Sequence, residues 1–459
     1  MAIMPIVITL GILALQLFVF NDFTPHIPLV IGISVTAFLA WLRGYRWEDI
    51  EDGILHTVRL AMQSIAILML VGMIVGIWIA SGTVPLLIQY GLTMLTPQIF
   101  LAASMLLCSV VSLSLGTSWG TVSTVGLALV GIGVGFDIPL YWTAGAVVSG
   151  AFFGDKMSPL SDTTNLAPAV IGVDLFKHIK NMLPTTVPAM VIALGIYLFV
   201  GFNSAPLGHT ALEKIELISQ GIESNFNLSV WLLIPPVLVL ACSLCKLPTL
   251  PSLFMGVISG AAIANLTQGV SLHELFQYAQ SGYQIETGVA EIDSLLARGG
   301  VQSMTWVITL VMISLGFGGA LERTKCLETI VEAILKKSRS FLRLQTSALG
   351  TSIATNLVAG DPYLSISLPG RMFAPVYEKQ GYSKLNLSRA VEEGGTLISP
   401  LVPWNAGGAV VISALGLGIA DGNIENLLYI PLAFACWISP VISILYAATD
   451  KFTLREAVA

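Results

Sequence analysis

The stretch LAMQSIAILMLVGMIVGIWIASGTVPLLIQYGLTMLTPQIFLAASMLLCSVVSLSLGTSWGTVSTVGLALVGIGVGF, residues 60–136, contains no Asp, Glu, Lys or Arg. A membrane-spanning helix takes about 20 apolar residues, so these 77 positions cross or re-enter a bilayer several times. Further uncharged intervals occupy 23–42, 181–212, 247–273, 299–321, 394–420 and 426–449. Across 459 residues only 10% are charged, against roughly a quarter in soluble globular domains, and the mean hydropathy is +0.84. A soluble core has no use for so many uncharged runs. The chain reads as an all-α polytopic membrane protein.

Several classes of function are disfavoured early. The sequence carries no Walker A loop, so ATP-driven transport has no support. Cys108, Cys242, Cys245, Cys326 and Cys436 lie in or beside apolar runs and read as small hydrophobes. The lone Cys242-x-x-Cys245 pair is a weak metal or redox signal. The first apolar stretch, Met4 to Phe20, lacks the basic head of a signal peptide and is expected to be a retained helix. The net charge of −6 does not decide orientation, which follows the placement of Lys and Arg.

An internal repeat organises the rest. Gly116-Thr117-Ser118 recurs as Gly350-Thr351-Ser352, and Ser158-Pro159-Leu160 recurs as Ser399-Pro400-Leu401, in the same order. Charge placement suggests that the two copies are inverted. Arg43, Arg46 and Arg59 precede the helix starting near 62, whereas the matching loop at 267–300 has Arg298 against Glu274, Glu286, Glu291 and Asp293. After the helix the signs exchange: 81–98 is uncharged, while 323–343 carries Arg323, Lys325, Lys336, Lys337, Arg339 and Arg343. Basic loops stay cytoplasmic, so one copy enters from inside and the other from outside. The expected architecture is 11–13 transmembrane segments in two inverted-topology repeats with re-entrant hairpins and broken helices. Its expected divisions are an extra N-terminal helix (1–25), a first repeat (26–203), an external loop (204–228), a second repeat (229–450) and a cytoplasmic tail (451–459). Inverted repeats are common in secondary transporters, with the substrate site at the repeat interface near mid-membrane.

Four polar islands interrupt the apolar runs: GTSWGTVST (116–124), GDKMSPLSDTTN (154–165), ATNLVAGDP (354–362) and EEGGTLISPLVPWN (392–405). Non-helical backbone at membrane depth is tolerated only where protein or a water-filled cavity satisfies it. Freed carbonyls with hydroxyl and amide oxygens make a hard-oxygen site suited to a cation. Residues 139–173 read as one span broken near its middle, with Asp155 and Asp162 in or beside the break. An intramembrane carboxylate is expensive, so function is its default reading. The bland alternative is a surface loop in which Lys156 neutralises Asp155. Asp361 follows seventeen uncharged residues, and Glu392 and Glu393 precede a Gly pair. The expected ion-binding set is Asp155, Asp162, Thr163, Asn165, Asp361 and Glu392, with Thr117, Ser118, Asn356 and Asn405 in support. Asp155, Asp162, Asp361 and Glu392 are the expected metal-ligating carboxylates. Asp137, Asp174 and Asp421 read as surface groups, and Arg371 and Arg389 as cytoplasmic or hairpin-end anchors.

The runs GAFFGDKMSPLSDTTN (150–165), ATNLVAGDPYLSISLPGRMF (354–373) and EEGGTLISPLVPWN (392–405) resemble the signature segments of the NhaC family of sodium/proton antiporters. The resemblance covers about residues 5–450. It implies an ion-transporter-superfamily fold and an elevator-like motion against a scaffold. Family members that exchange sodium and malate for protons and lactate leave the substrate open.

The expected activity is exchange of Na+ for H+ by alternating access, the two ions competing for buried carboxylates. No cofactor is expected beyond the transported ions, and no nucleic acid. The expected setting is the bilayer of a bacterial inner membrane with both termini cytoplasmic, and homodimerisation is left open. An organic-anion exchanger on the same fold is the first alternative and would want a cationic pocket. An intramembrane aspartyl protease fits less well, because duplicated broken helices are superfluous for hydrolysis, and a channel would be excluded by saturable exchange flux with no single-channel conductance.

Overall fold

The structure, a computed structural model, describes residues 3–455 apart from 21–22, 61, 204–208, 246, 288–292, 294–295, 336–339 and 420–421. Glu291, Lys336, Lys337, Arg339 and Asp421 therefore lie outside the described residues, as do 456–459 of the expected tail. Among the described residues the fold is helical, with one isolated bridge between Tyr382 and Arg455 and no strand. Six helices among the described residues are long and apolar enough to cross a membrane, or up to nine if each sharply bent pair is one span. The shorter apolar helices Met4–Leu15 and His26–Trp41 add to these. The stretch expected as an external loop is helical over His209–Asn225.

The polar islands are where helices stop. Helix Pro97–Leu115 ends at Gly116 in the left-handed region (φ 68°), and Thr117 then caps the next helix by accepting from the Gly120 amide. Helix Phe341–Ala359 likewise ends at Gly360 (φ 62°), and Asp361 caps helix Pro362–Lys379. A left-handed glycine at the helix C-terminus turns the chain at no steric cost. Each such turn is followed by a broken helix. The first is Leu140–Met157 and Asp162–Ile171; the second runs from Lys384 through a π-turn at Glu393–Leu397 to Ala406–Ala414.

Turn and break sit side by side in both units. In the first, Gly150 faces Met105, Gly154 faces Ser109, and the Ser158 hydroxyl donates to the Leu113 carbonyl. These steps of four in one direction make Pro97–Leu115 and Leu140–Met157 parallel neighbours. Gly116 then abuts Leu160, and Gly360 abuts Trp404, the partner lying 44 positions on in each case. The Gly-Thr-Ser match read from sequence does not align these turns: Gly350 lies inside helix Phe341–Ala359, whereas Gly360 ends that helix as Gly116 ends Pro97–Leu115.

Two further helices meet where charged residues are placed. Helix Trp47–Leu60 precedes Met62–Ala80, and helix Thr305–Arg323 ends against it, with Gly53 packed on Gly319 and Asp52 3.4 Å from Arg323. The basic residues Arg46, Arg323 and Arg371 therefore gather at one face, paired there with Asp49, Asp52 and Glu322. Helix Trp47–Leu60 starts there and runs inward, and helix Thr305–Arg323 ends there.

The parallel packing leaves no room at Gly154, where an added Cβ would lie 2.6 Å from the Leu113 nitrogen and 2.7 Å from the Ser112 Cβ. Overpacking of this kind costs about 1–3 kcal/mol. Gly154→Val is expected to lower the thermal unfolding temperature in detergent, read by fluorescence-detected size exclusion, whereas Gly195→Val, with nothing near its Cβ position, leaves it unchanged.

Candidate functional site

Where the first break meets the first turn lies a small, partly open cavity of about 30 Å³. Its lining includes Thr117, Ser118, Asp155, Asp162, Thr163, Tyr363, Thr396 and Ser399, closed on the apolar side by Ile67, Trp119, Phe152 and Pro362. One water-sized occupant needs about 10–15 Å³, so the space suits a single small, largely dehydrated ion. Carboxylate and hydroxyl oxygens are the donors that hard cations prefer.

Asp155 anchors this cavity. It sits in the last turn of Leu140–Met157, 5% exposed, and its Oδ2 accepts from the Ser118 hydroxyl at 2.6 Å. Its Oδ1 is buried and makes no hydrogen bond. Leaving a buried charged oxygen unpartnered costs more than an ordinary hydrogen bond gains. Asp162 is exposed at the rim, its Oδ1 accepting from the Thr163 amide and its Oδ2 from the Tyr363 phenol. Thr163 is buried, with its hydroxyl 3.1 Å from that of Ser161.

The remaining expected ligands do other work. Asn165 donates to the carbonyls of Pro159 (2.9 Å) and Ser161 (2.6 Å), tying the two ends of the first break together. Asn356 donates to the carbonyls of Gly394 (2.6 Å) and Gly395 (2.7 Å), freed by the π-turn. Asn405 donates to the Asn356 side chain at 2.8 Å, and its oxygen caps helix Ala406–Ala414. Asp361 is buried as the cap of Pro362–Lys379, accepting from the Leu364 amide at 2.8 Å. Glu392 is fully buried, with Oε1 accepting from Thr396 at 2.7 Å and Oε2 unpartnered. Neither Asp361 nor Glu392 lines the small cavity. Among the described residues no three His, Cys, Asp or Glu side chains are grouped to hold a metal. The four carboxylates expected around one ion are therefore divided: two line the cavity, one caps a helix, and one is held by Thr396.

Lys156 does not neutralise Asp155. It turns to the far side of the broken helix, where its Nζ lies 3.5 Å from Glu393 Oε1, both side chains fully buried. Thr185 donates to the same oxygen at 2.5 Å, and Ser439 sits 3.3 Å from both partners. Arg389 also proves buried rather than an anchor, donating to the Asn181 carbonyl at 3.4 Å. Sequence reasoning passed over Tyr363, Thr396 and Ser399, although all three lie within or next to the quoted islands. Glu393 carried a signal too, as a second acid beside Glu392 in an uncharged neighbourhood.

Discontinuous helices meeting around a small oxygen-lined cavity are the build of a secondary transporter of the multi-pass membrane type. Residues 150–451 match the model of the Na+/H+ antiporter family, and the chain belongs to that family. It is 40% identical to the Na+/H+ antiporter NhaC of Alkalihalophilus pseudofirmus over 423 residues, 92% of this chain and 89% of the relative. It is 37% identical to the NhaC of Bacillus subtilis over 428 residues, 93% of each. A malate-2H+/Na+-lactate antiporter of Bacillus subtilis is 35% identical over 450 residues, 97% of this chain and 94% of the relative.

Removing one member of a buried ion pair strands the other, at a cost of about 3–5 kcal/mol. Lys156→Met and Glu393→Gln, made singly, are each expected to lower stability by that order. The double variant should recover most of the loss, because it leaves no unpaired charge. Thermal unfolding of the four proteins in one detergent completes the cycle.

Proposed function

We propose that this protein exchanges Na+ for H+ across the membrane, with the cavity around Asp155 as the site both ions use in turn. The carrying observation is the buried, unpartnered Oδ1 of Asp155 in a space sized for one ion. Either a cation or a proton can satisfy that oxygen, and the cavity does not accommodate both. Na+ would take Asp155 and Asp162 as charged ligands, with hydroxyl oxygens of Thr163, Thr117, Ser118 and Ser399 in reach of the same space. Asp361, Glu392, Asn165, Asn356 and Asn405 act at one remove, by fixing the backbone or holding charge close by. The names of the two NhaC relatives support this ion pair.

The inverted-repeat reading is supported by the shared 44-residue register of turn and break. It is supported as well by the antiparallel placement of the scaffold helices Met62–Ala80 and Thr305–Arg323. Their basic face is the cytoplasmic one on the positive-inside rule, in a bacterial inner membrane. Alternating access then carries one site between two faces.

Exchange of an organic anion is a second reading, favoured by one observation: the chain is nearly as similar to the malate/lactate exchanger as to the NhaC proteins. The small cavity argues against it, since about 30 Å³ does not admit a dicarboxylate.

Proteoliposomes carrying an inward Na+ gradient and an internal pH dye decide the matter. Na+ alone is expected to drive alkalinisation or acidification of the lumen according to gradient direction, with no requirement for malate or lactate. Asp155→Asn is expected to abolish this flux, and transport at the wild-type rate would sink the assignment. Competition also fixes a sign: the half-saturating Na+ concentration rises as pH falls, and saturating Na+ restores the maximal rate at the lower pH.

A further inference from the structure

Two larger cavities flank the small one. The first, about 410 Å³, is lined by His56, Glu322, Asp361, Tyr363, Ser367 and Arg371 among others, and it opens on the basic face. A neighbouring cavity of about 340 Å³ shares His56 and Glu322 with it and reaches Arg323 and Lys325, extending the vestibule outward. The second, about 590 Å³, lies at the opposite ends of the same helices, lined by Val75, Arg298, Ile412 and Ser413 among others. Tyr363 lines both the ion-sized cavity and the vestibule on the basic face. The 590 Å³ cavity shares no lining residue with the ion-sized one. The ion-sized cavity thus meets the vestibule on the basic face at Tyr363 and has no lining residue in common with the cavity at the opposite end.

That side chain is held from both ends. Its backbone is the second residue of helix Pro362–Lys379, fixed by the Asp361 cap and by the Ser365 hydroxyl, which donates to the Asp361 carbonyl. Its phenol donates to Asp162 Oδ2, across from helix Pro362–Lys379 to the first broken helix. Asp162 is the exposed carboxylate of the pair that lines the cavity, so the same contact that places the ring also orients the rim ligand.

We propose that Tyr363 is the gate on the basic-face route to the cation site, its ring blocking the passage and its hydroxyl positioning Asp162. This deepens the site reading above and rests on it. A cation arriving from the vestibule must displace the ring before it reaches Asp155. The hydroxyl holds one oxygen of Asp162 while the Thr163 amide holds the other, which leaves the carboxylate a single orientation at the rim. Tyr363 is a positioning residue for Asp162 rather than a ligand.

The two roles separate experimentally. In a protein whose native cysteines are replaced, Ile67→Cys places a thiol in the wall of the ion-sized cavity on an apolar residue outside the proposed ligands. Its modification is followed with a membrane-impermeant cationic methanethiosulfonate added to one face at a time. With Tyr363 present, modification from the basic face is slow. Tyr363→Ala should speed it at least about tenfold from that face alone, and Tyr363→Leu serves if the alanine form is not recovered. Tyr363→Phe keeps the ring and should keep modification slow. The lost bond to a charged acceptor should nevertheless raise the half-saturating Na+ concentration about tenfold, with the maximal rate unchanged. Equal modification rates with Tyr, Phe and Ala overturn the gate, and an unchanged half-saturating Na+ concentration in Tyr363→Phe overturns the positioning role. The modification assay needs no transport, so it still reads the gate if Asp155→Asn retains Na+ exchange and the site assignment falls.

Discussion

A helix that stops inside a bilayer must find partners for the backbone groups it frees, because lipid offers none. The whole arrangement follows from how this chain meets that demand. At the first break Asn165 serves two carbonyls, and at the second Asn356 serves two more. Asn405, Thr117 and Asp361 cap the helices that restart. Each interruption is thus closed by side chains drawn from the interruption itself, or from the parallel helix beside it. What remains open at the first break is small: one oxygen of Asp155, a few hydroxyls, and a space for one ion.

This explains how residues of similar composition come to do different jobs. Asp361 and Asp155 both follow long apolar runs, yet Asp361 directly follows the turn glycine and is consumed by capping. Asp155 sits one turn before its break, with a single hydroxyl partner. Glu392 and Glu393 are adjacent in sequence and point to different company because successive residues project about 100° apart around a helix. One meets Thr396 a turn ahead, and the other meets Lys156 and Thr185 from neighbouring helices. The buried cation is best understood as the counter-charge that lets Glu393 exist at that depth. A charge pair of this kind is costly to assemble and costlier to halve, so it fixes how the two broken helices cross.

Much of this was legible in the sequence. Uncharged intervals located most of the spanning helices, because a bilayer forbids solvated charge over some 20 residues, and the islands located both breaks and both turns. Asp155, Asp162 and Thr163 could be read as neighbours because they flank one break. Amphipathic helices such as Trp47–Leu60 and Leu272–Ser281 escaped a reading tuned to apolar runs, since they carry charge along one side. The partners of Lys156 and Arg389 were hidden for another reason. Both bonds span more than two hundred residues, and nothing local distinguishes a basic residue at a membrane surface from one buried against a distant acid. Tyr363 was passed over because an aromatic after proline in an apolar context has no signature of its own.

The same distinction bears on ion choice within this family. A carboxylate pair with hydroxyls at its edge selects for charge and size, and neither feature in itself excludes an organic substrate elsewhere on the path. What constrains the substrate is the volume left once the interruptions have been satisfied. Every carbonyl that Asn165 and Asn356 cover brings backbone closer to backbone, and every glycine such as Gly154 that admits a neighbouring helix narrows the centre further. A relative that accepts a larger substrate must therefore relax some of these closures and keep others, because the helices cannot break at all without them. The packing that makes a broken helix tolerable in lipid is also the packing that sizes the site.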